Sequence, residues 1–383
     1  MEMAMEIKNL DYNHLIPIWE EYLKKKTELD YTTMYIHIPY CAKECLFCMY
    51  DTRIIKKNSI DNLLDSIEKQ FQIAQPVFKD EPIKALYVGG GSPSILNVNQ
   101  MGKLFNMIEK YWDIIPNDNM FNFEMHPSQT TDEKIKLLSS SFINRVSMGV
   151  QSLDEKVIKA SNRIWLPEEE IIDKHQKLIE AFSHKKSRIN IDLLHGLPIQ
   201  NKDSFFYDVK KFISLDAPNI TVYSLRDSMA CPIREGKEDF VKDFRPIKND
   251  DAYHEEFIKH VEELKTFLPK KYRWIGTSTD NWEEFNSILL NDERFYFYHT
   301  YCPEIIHYNN ILSFGLGGHQ SSFFVIDKLI HIDEFNDSIY FVNINNEYGD
   351  NDEGALSGRE YTNKIIKERK NIKDFNTLRM EYS

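Results

Sequence analysis

The sequence has little cysteine, with five thiols in 383 residues. The total is odd. The N-terminus, MEMAMEIKNLDYNHL, has neither a basic n-region nor an apolar h-region. Both observations argue against a disulfide-stapled secreted fold. Long apolar runs are missing as well, and with no stretch of 18 apolar residues there is no candidate membrane span. Basic blocks are scarce. The formal net charge is −13, and Lys24, Lys25 and Lys26 follow Glu20 and Glu21 on a helical stretch, as on a solvated face. Nucleic-acid binders usually carry a basic surface, so a nucleic-acid partner is disfavoured and a small-molecule substrate fits better. No repeat of fixed period and no low-complexity tract interrupts the chain. What is left is a globular protein, 42% hydrophobic, expected in the cytoplasm and large enough for one sizeable core.

The hydrophobic pattern alternates between two periods. Residues 12–27 space Leu15, Ile18, Trp19, Tyr22 and Leu23 as an amphipathic helix does. Strand patterns then fall at 34–38, 85–88, 121–124, 145–149, 188–194 and 220–225. Helix patterns fall between them at 59–74, 100–112, 132–140, 168–182 and 205–215. Such alternation predicts parallel strands joined by right-handed crossovers. Six of these units make a partial or full βα barrel. After residue 226 the rhythm breaks. A charged helix at 251–267 precedes a loop-rich aromatic stretch (Trp274, Trp282, Phe295–Tyr298, Tyr301), a turn-rich segment at 314–319 and a polar tail ending in a helix at 364–383. The expected division is an N-terminal helical segment (1–33), a βα core (34–226) and a C-terminal α+β extension (227–383) that binds substrate and closes the barrel.

Three of the five cysteines stand together. Cys41, Cys45 and Cys48 read C-x3-C-x2-C directly after an apolar strand. Three thiolates at this spacing suit three corners of a [4Fe–4S] cube and leave one iron open to a small molecule. A structural zinc site would need a fourth Cys or His nearby. Cys231 and Cys302 are isolated, and His37 on the strand is a weak ligand signal. Three unrelated buried thiols are the plain alternative.

Parallel α/β folds carry chemistry at the carboxyl ends of their strands, and the polar motifs of this chain fall there. Gly89-Gly90-Gly91-Ser92-Pro93 follows the second strand, Glu124 ends the third, Gln151-Ser152 follows the fourth and His195-Gly196-Leu197-Pro198 the fifth. The glycines either make an ordinary tight turn or let a ligand approach the backbone. Glu124, Gln151 and Asp192 either bind ribose hydroxyls or an amine, or simply cap a strand. Arg163, beyond a short helix, either pairs a ligand carboxylate or a surface acid. His126, His195, His299, His307 and His319 read as loop or core histidines before metal ligands.

Taken together the motifs resemble a known family. Tyr35-Ile-His-Ile-Pro-Tyr-Cys41-x3-Cys45-x-Phe47-Cys48, GGGSPS (89–94), Glu124-x2-Pro127, RVSMGVQS (145–152), Arg163, DLLHGLP (192–198) and Tyr223-x-Leu225 are similar to the radical S-adenosylmethionine superfamily. Within it they resemble the branch of oxygen-independent coproporphyrinogen III dehydrogenases, haem chaperone-like proteins and class C radical methylases. The likeness runs from about residue 34 to 322. It implies a partial (βα)6 barrel with a [4Fe–4S] cluster on Cys41, Cys45 and Cys48, and S-adenosylmethionine on the open iron. It implies contacts to S-adenosylmethionine from Tyr35, Gly90, Gly91, Ser92, Glu124, Gln151, Arg163 and Asp192, with Phe47 near the adenine. It also implies reductive cleavage to a 5′-deoxyadenosyl radical that abstracts hydrogen from a small molecule, with electrons from a donor such as flavodoxin or ferredoxin. Position 50 is Tyr where the dehydrogenases carry Cys, and residues 299–317 lack the H-N-x-x-Y-W of the chaperone-like members. These departures turn the expectation toward a specialised biosynthetic enzyme, with class C-type methyl transfer using a second S-adenosylmethionine. A tetrapyrrole enzyme or a haem carrier is the alternative.

Overall fold

The computed structural model describes residues 5–8, 16–25, 32–48, 52–116, 121–184, 188–225, 250–275, 295–300, 311–315, 322–325, 328–333 and 338–343. Tyr50, Cys231, Cys302, His307, His319, Trp282, Tyr301 and the expected terminal helix lie outside them. The chain divides into two compact units. One holds residues 1–41, 50–115 and 308–383, the other residues 42–49 and 116–307.

In the first unit the strand Thr32–Ile38, which leads into the cysteine loop, is central. It pairs in parallel with Ile83–Gly90 on one side and Ile311–Gly315 on the other. Met34, Ile36 and Ile38 are fully buried, as are Ile83 and Val88, nearly continuous apolar runs of the kind a covered parallel sheet requires. Helix Ser59–Ala74 buries Ile60, Leu63, Leu64, Ile67, Phe71 and Ala74 at 3.6-residue spacing. Helix Val98–Tyr111 starts at a capping box. Asn97 accepts from the Gln100 N–H at 2.9 Å and Gln100 from the Asn97 N–H at 3.1 Å, so it begins two residues before the periodicity alone suggests. Phe71, Trp112 and Phe314 form an aromatic knot, with Phe314 4.7 Å from Phe71 and 5.5 Å from Trp112.

This unit also corrects two expectations. The segment read as turn-rich begins with a strand, Ile311–Gly315, because Phe314 has a buried place beside Phe71 that local patterning does not reveal. The N-terminal segment is not only helical. Met5–Lys8 is a strand that pairs antiparallel with Ser338–Asn343, the start of a four-stranded sheet continuing through Lys328–Asp333 to Ser322–Val325.

The second unit carries parallel strands in the order Phe121–Met125, Arg145–Gln151, Arg188–His195, Asn219–Ser224, Phe295–Thr300, Tyr272–Ile275. Asp132–Ser140, Glu168–Phe182 and Lys202–Ser214 are its crossover helices, and Asp250–Lys265 follows the last of the six expected strands. The aromatic stretch expected as loop therefore contributes two further strands of the same parallel kind. His299 lies in one of them, not in a loop. The α/β class holds, and the parallel strands form open sheets, as a partial barrel does. Among the described residues no helix is long and apolar enough to cross a membrane.

Candidate active site

The cysteine loop is held at its root and along its length. In the first unit Tyr40–Cys41 pairs with Arg53–Ile54, and the Ile55 N–H donates to the Cys41 carbonyl at 3.0 Å. The glycine turn packs against this root. The N–H groups of Gly91 and Ser92 donate to the carbonyls of Ile38 and Tyr40 at 2.8 and 3.1 Å. A Cβ on Gly91 would stand 2.9 Å from the Pro39 and Tyr40 backbone. Gly90, at φ +114°, would place one 2.7 Å from the His37 ring. The glycines therefore admit, first of all, the strand that leads into Cys41. His37 is fully buried, and its Nδ1 lies 3.0 Å from the Tyr35 hydroxyl. Ser92 is buried with its hydroxyl 3.1 Å from that of Ser94.

In the second unit the rest of the loop rests on the segment after the short helix Glu155–Ala160. The Leu46 N–H donates to the Ser161 carbonyl at 3.0 Å, and Asn162 Nδ2 donates to the Glu44 carbonyl at 2.9 Å. Asn162 has φ +54°, the left-handed helix-terminating conformation that Asn tolerates. The Cys48 N–H closes a turn on the Cys45 carbonyl at 3.1 Å. Cys41, Cys45 and Cys48 are all partly exposed.

Arg163 joins the loop to the strand ends. Its Nη1 lies 3.5 Å from Cys45 Sγ, its Nη2 donates to the Gly149 carbonyl, and its guanidinium carbon stands 5.9 Å over the Phe47 ring. Gly149 makes the room, because a Cβ there would meet Gln151 Nε2 at 2.9 Å and Arg163 Nη2 at 3.4 Å. The strand bulges between Gly149 and Gln151, and Gln151 itself has φ +72°. A non-glycine residue in that region is strained, and such strain collects at functional sites. Gln151 Oε1 is buried with no hydrogen-bond partner among the described residues. His126 accepts at Nδ1 from the Ser128 N–H at 3.1 Å. Burial and, after it, the Arg163 charge hold its imidazole well below the usual range, so it is neutral.

Asp192 sits in a polar ladder across three strands. Ser147 Oγ donates to its Oδ2 at 2.6 Å and Asn190 Nδ2 to its Oδ1 at 2.7 Å, while Thr221 Oγ1 donates to Asn190 Oδ1 at 2.8 Å. Burial pushes the Asp192 carboxyl up, against the opposing pull of Ser147, Arg145, Asn190 and Arg163. Glu124 is half-buried, paired in register with Ser147.

Of the sequence-derived site residues, Cys45, Phe47, Gln151 and Arg163 thus come together directly, with Glu124 and Asp192 on the same set of strands. Cys48 shares the turn of Cys45. Tyr35, Cys41, Gly90, Gly91 and Ser92 gather in the first unit. Asn162, Ser147 and Asn190 were missed, whereas His126 is the loop histidine its sequence reading expects, and it is neutral. Asn162 alone had a local signal, an Asn just past a helix end; the others depend on partners in distant strands.

The donor set fits a [4Fe–4S] group. Among the described residues no three Cys, His, Asp or Glu side chains converge on a single-ion site, and a cube asks for no such convergence because each thiolate takes a different iron. Beside Cys45 stands the Arg163 guanidinium, and at the same strand end an amide oxygen with no partner among the described residues, donor and acceptor for a zwitterionic ligand.

The comparisons with known proteins agree. A Radical SAM superfamily profile matches residues 35–207. The haem chaperone HemW of Lactococcus lactis is 32% identical over 191 residues, 50% of this chain and 48% of that protein. The oxygen-independent coproporphyrinogen III oxidase of Synechocystis is 33% identical over 202 residues, 52% of this chain and 42% of that one. The match thus spans about half the length of these curated relatives. Coproporphyrinogen III oxidase (HemN) of Escherichia coli has a similar fold, with a TM-score of 0.66 at 18% identity over 94% of this chain and 80% of that one. Residues 35–207, which hold the three clustered cysteines, the bulged strand end and Arg163, are a radical SAM domain.

Proposed function

We propose that this chain is a cytoplasmic radical S-adenosylmethionine enzyme acting on a tetrapyrrole or a close relative of one. The observation that carries the radical half is the convergence of Cys45, Phe47, Arg163 and Gln151 inside the matched domain. Cys41, Cys45 and Cys48 would hold the [4Fe–4S] group, and the chemistry it would supply when bound is one-electron reductive cleavage of S-adenosylmethionine. The chain's own residues bind and orient. Arg163 meets the ligand carboxylate, Gln151 Oε1 accepts from its ammonium, and Asp192 and Glu124 accept from the ribose hydroxyls. Tyr35, Gly90, Gly91 and Ser92 line the approach to Cys41, and Phe47 packs against the adenine. Electrons arrive from a small donor protein of the flavodoxin or ferredoxin kind.

The substrate class rests on the names of the relatives, a coproporphyrinogen oxidase and a haem chaperone. They favour a tetrapyrrole over a methyl acceptor, so class C-type methyl transfer ranks behind it. The deciding experiment is anaerobic reconstitution, reduction with dithionite and product analysis with coproporphyrinogen III. Release of 5′-deoxyadenosine that rises with the tetrapyrrole and vanishes in Cys45→Ala supports the proposal. Haem binding without any 5′-deoxyadenosine would replace it with the carrier reading, which the HemW likeness favours. Formation of S-adenosylhomocysteine that depends on an added methyl acceptor other than the tetrapyrrole, matched by the methylated acceptor, would restore methyl transfer.

A further inference from the structure

One buried carboxylate of the second unit lies outside the set the proposed chemistry uses. Asp208 is on the helix Lys202–Ser214, is fully buried, and points at the strand end that carries Gln151. Its Oδ2 accepts from Ser152 Oγ at 2.6 Å and its Oδ1 from the Leu153 N–H at 2.9 Å. Ser152 and Leu153 are the two residues immediately after Gln151, and both are buried. A second link tightens the same turn, since the Asp154 N–H donates to Ser152 Oγ at 3.1 Å.

The conformation being held is costly. Gln151 is a bulged, non-glycine residue at φ +72°, and its amide nitrogen lies over Gly149, whose missing Cβ leaves it room. Strained conformations of this kind persist only where the surroundings over-determine them. A fully buried carboxylate also costs free energy unless hydrogen bonds compensate it. The like charges of Asp154 and Glu168 add to that cost. A structural role in the helix alone would not need this group, because Val209 and Phe212 already bury the same helix in the core.

We infer that Asp208 is a positioning residue that fixes the strained turn at Gln151 and thereby aims its side-chain amide at the S-adenosylmethionine site. The inference rests on the assignment of Gln151 proposed above. The amide oxygen that has no partner among the described residues is held by a turn whose next two residues are tied to one carboxylate. Asp208 itself touches neither ligand nor thiol.

The test measures equilibrium binding of S-adenosylmethionine to the anaerobically reconstituted full chain, with the brown cluster absorbance recorded on each sample. Asp208→Ala should weaken binding by about tenfold or more, as expected when two buried donors lose their acceptor, with cluster content unchanged. Asp208→Asn keeps an acceptor and should recover to within about threefold of wild type, and Ser152→Ala should fall between them. Val209→Ala, a core truncation on the same helix, supplies the stability control and should bind as wild type does even where it melts lower. In a Gln151→Ala background, Asp208→Ala should have no further effect. Binding by Asp208→Ala within about twofold of wild type, an equal loss in Val209→Ala, or full additivity with Gln151→Ala would each overturn the positioning role. A wild-type holoprotein that binds no S-adenosylmethionine would overturn the reading of the site, and the inference with it.

Discussion

His175 shows how one residue can set the acid behaviour of a domain. It lies on the helix Glu168–Phe182, fully buried, with neither ring nitrogen hydrogen-bonded among the described residues and the Phe212 ring edge-on at 5.6 Å. Burial lowers its pKa to about 4, against about 6.5 in an unfolded chain. The native state thus stays neutral where the unfolded state gains a proton. The stability it contributes is complete above about pH 6.5 and is lost as pH falls toward 4. Between pH 8 and pH 5 the loss is about 2 kcal/mol. His175→Leu should flatten the difference between urea unfolding at pH 7.5 and at pH 5 by about that amount, and an unchanged pH dependence would rule the residue out. His195 reinforces the trend, since burial, assisted by His260, brings it to about 3. The position of His175 is legible in the sequence, because Ile171, His175, Leu178 and Phe182 follow helical spacing. Its lack of partners is not. Nor are the partners of Asp192 and Asp208, which include a strand residue 45 positions away and a turn residue 56 positions away.

Elements were legible where two periods alternate and obscure where the chain joins an existing sheet from a distance. Helices Ser59–Ala74, Asp132–Ser140 and Glu168–Phe182 fall where the apolar spacing predicts them. The strands Ile311–Gly315 and Phe295–Thr300 do not announce themselves, since their pairing partners lie far back in the sequence. The glycine turn after Ile83–Gly90 is legible as a motif, yet its reason comes from the structure. Gly91 stands against the backbone of Pro39 and Tyr40, with no flexible side chain to swing aside. Gly91→Ala should therefore displace the root of the cysteine loop, cost on the order of 1–3 kcal/mol as overpacking does, and lower the iron and sulfide bound after reconstitution. Full cluster loading at the wild-type melting temperature would show that the contact yields without harm.

At the scale of the whole molecule, the first unit is closed by residues nearly three hundred positions apart. Ser313 pairs with Tyr35, and Phe314 enters the knot of Phe71 and Trp112. Phe314→Ala should lower the unfolding free energy of this unit by about 3–5 kcal/mol, read from a denaturant midpoint. A wild-type midpoint would mean that the late strand is dispensable to the core. Such distant pairings slow folding, because the closure entropy must be spent before the contact forms. The cysteine loop belongs to the same class, since Glu44 and Cys45 find Asn162 and Arg163 across 118 residues. During synthesis, then, the thiols leave the ribosome long before Asn162 and Arg163 exist to shape the rest of the loop. Iron and sulfide delivered to the nascent chain would meet only an unstructured peptide, which makes cluster insertion an event of the finished protein and sets a waiting time between translation and maturation.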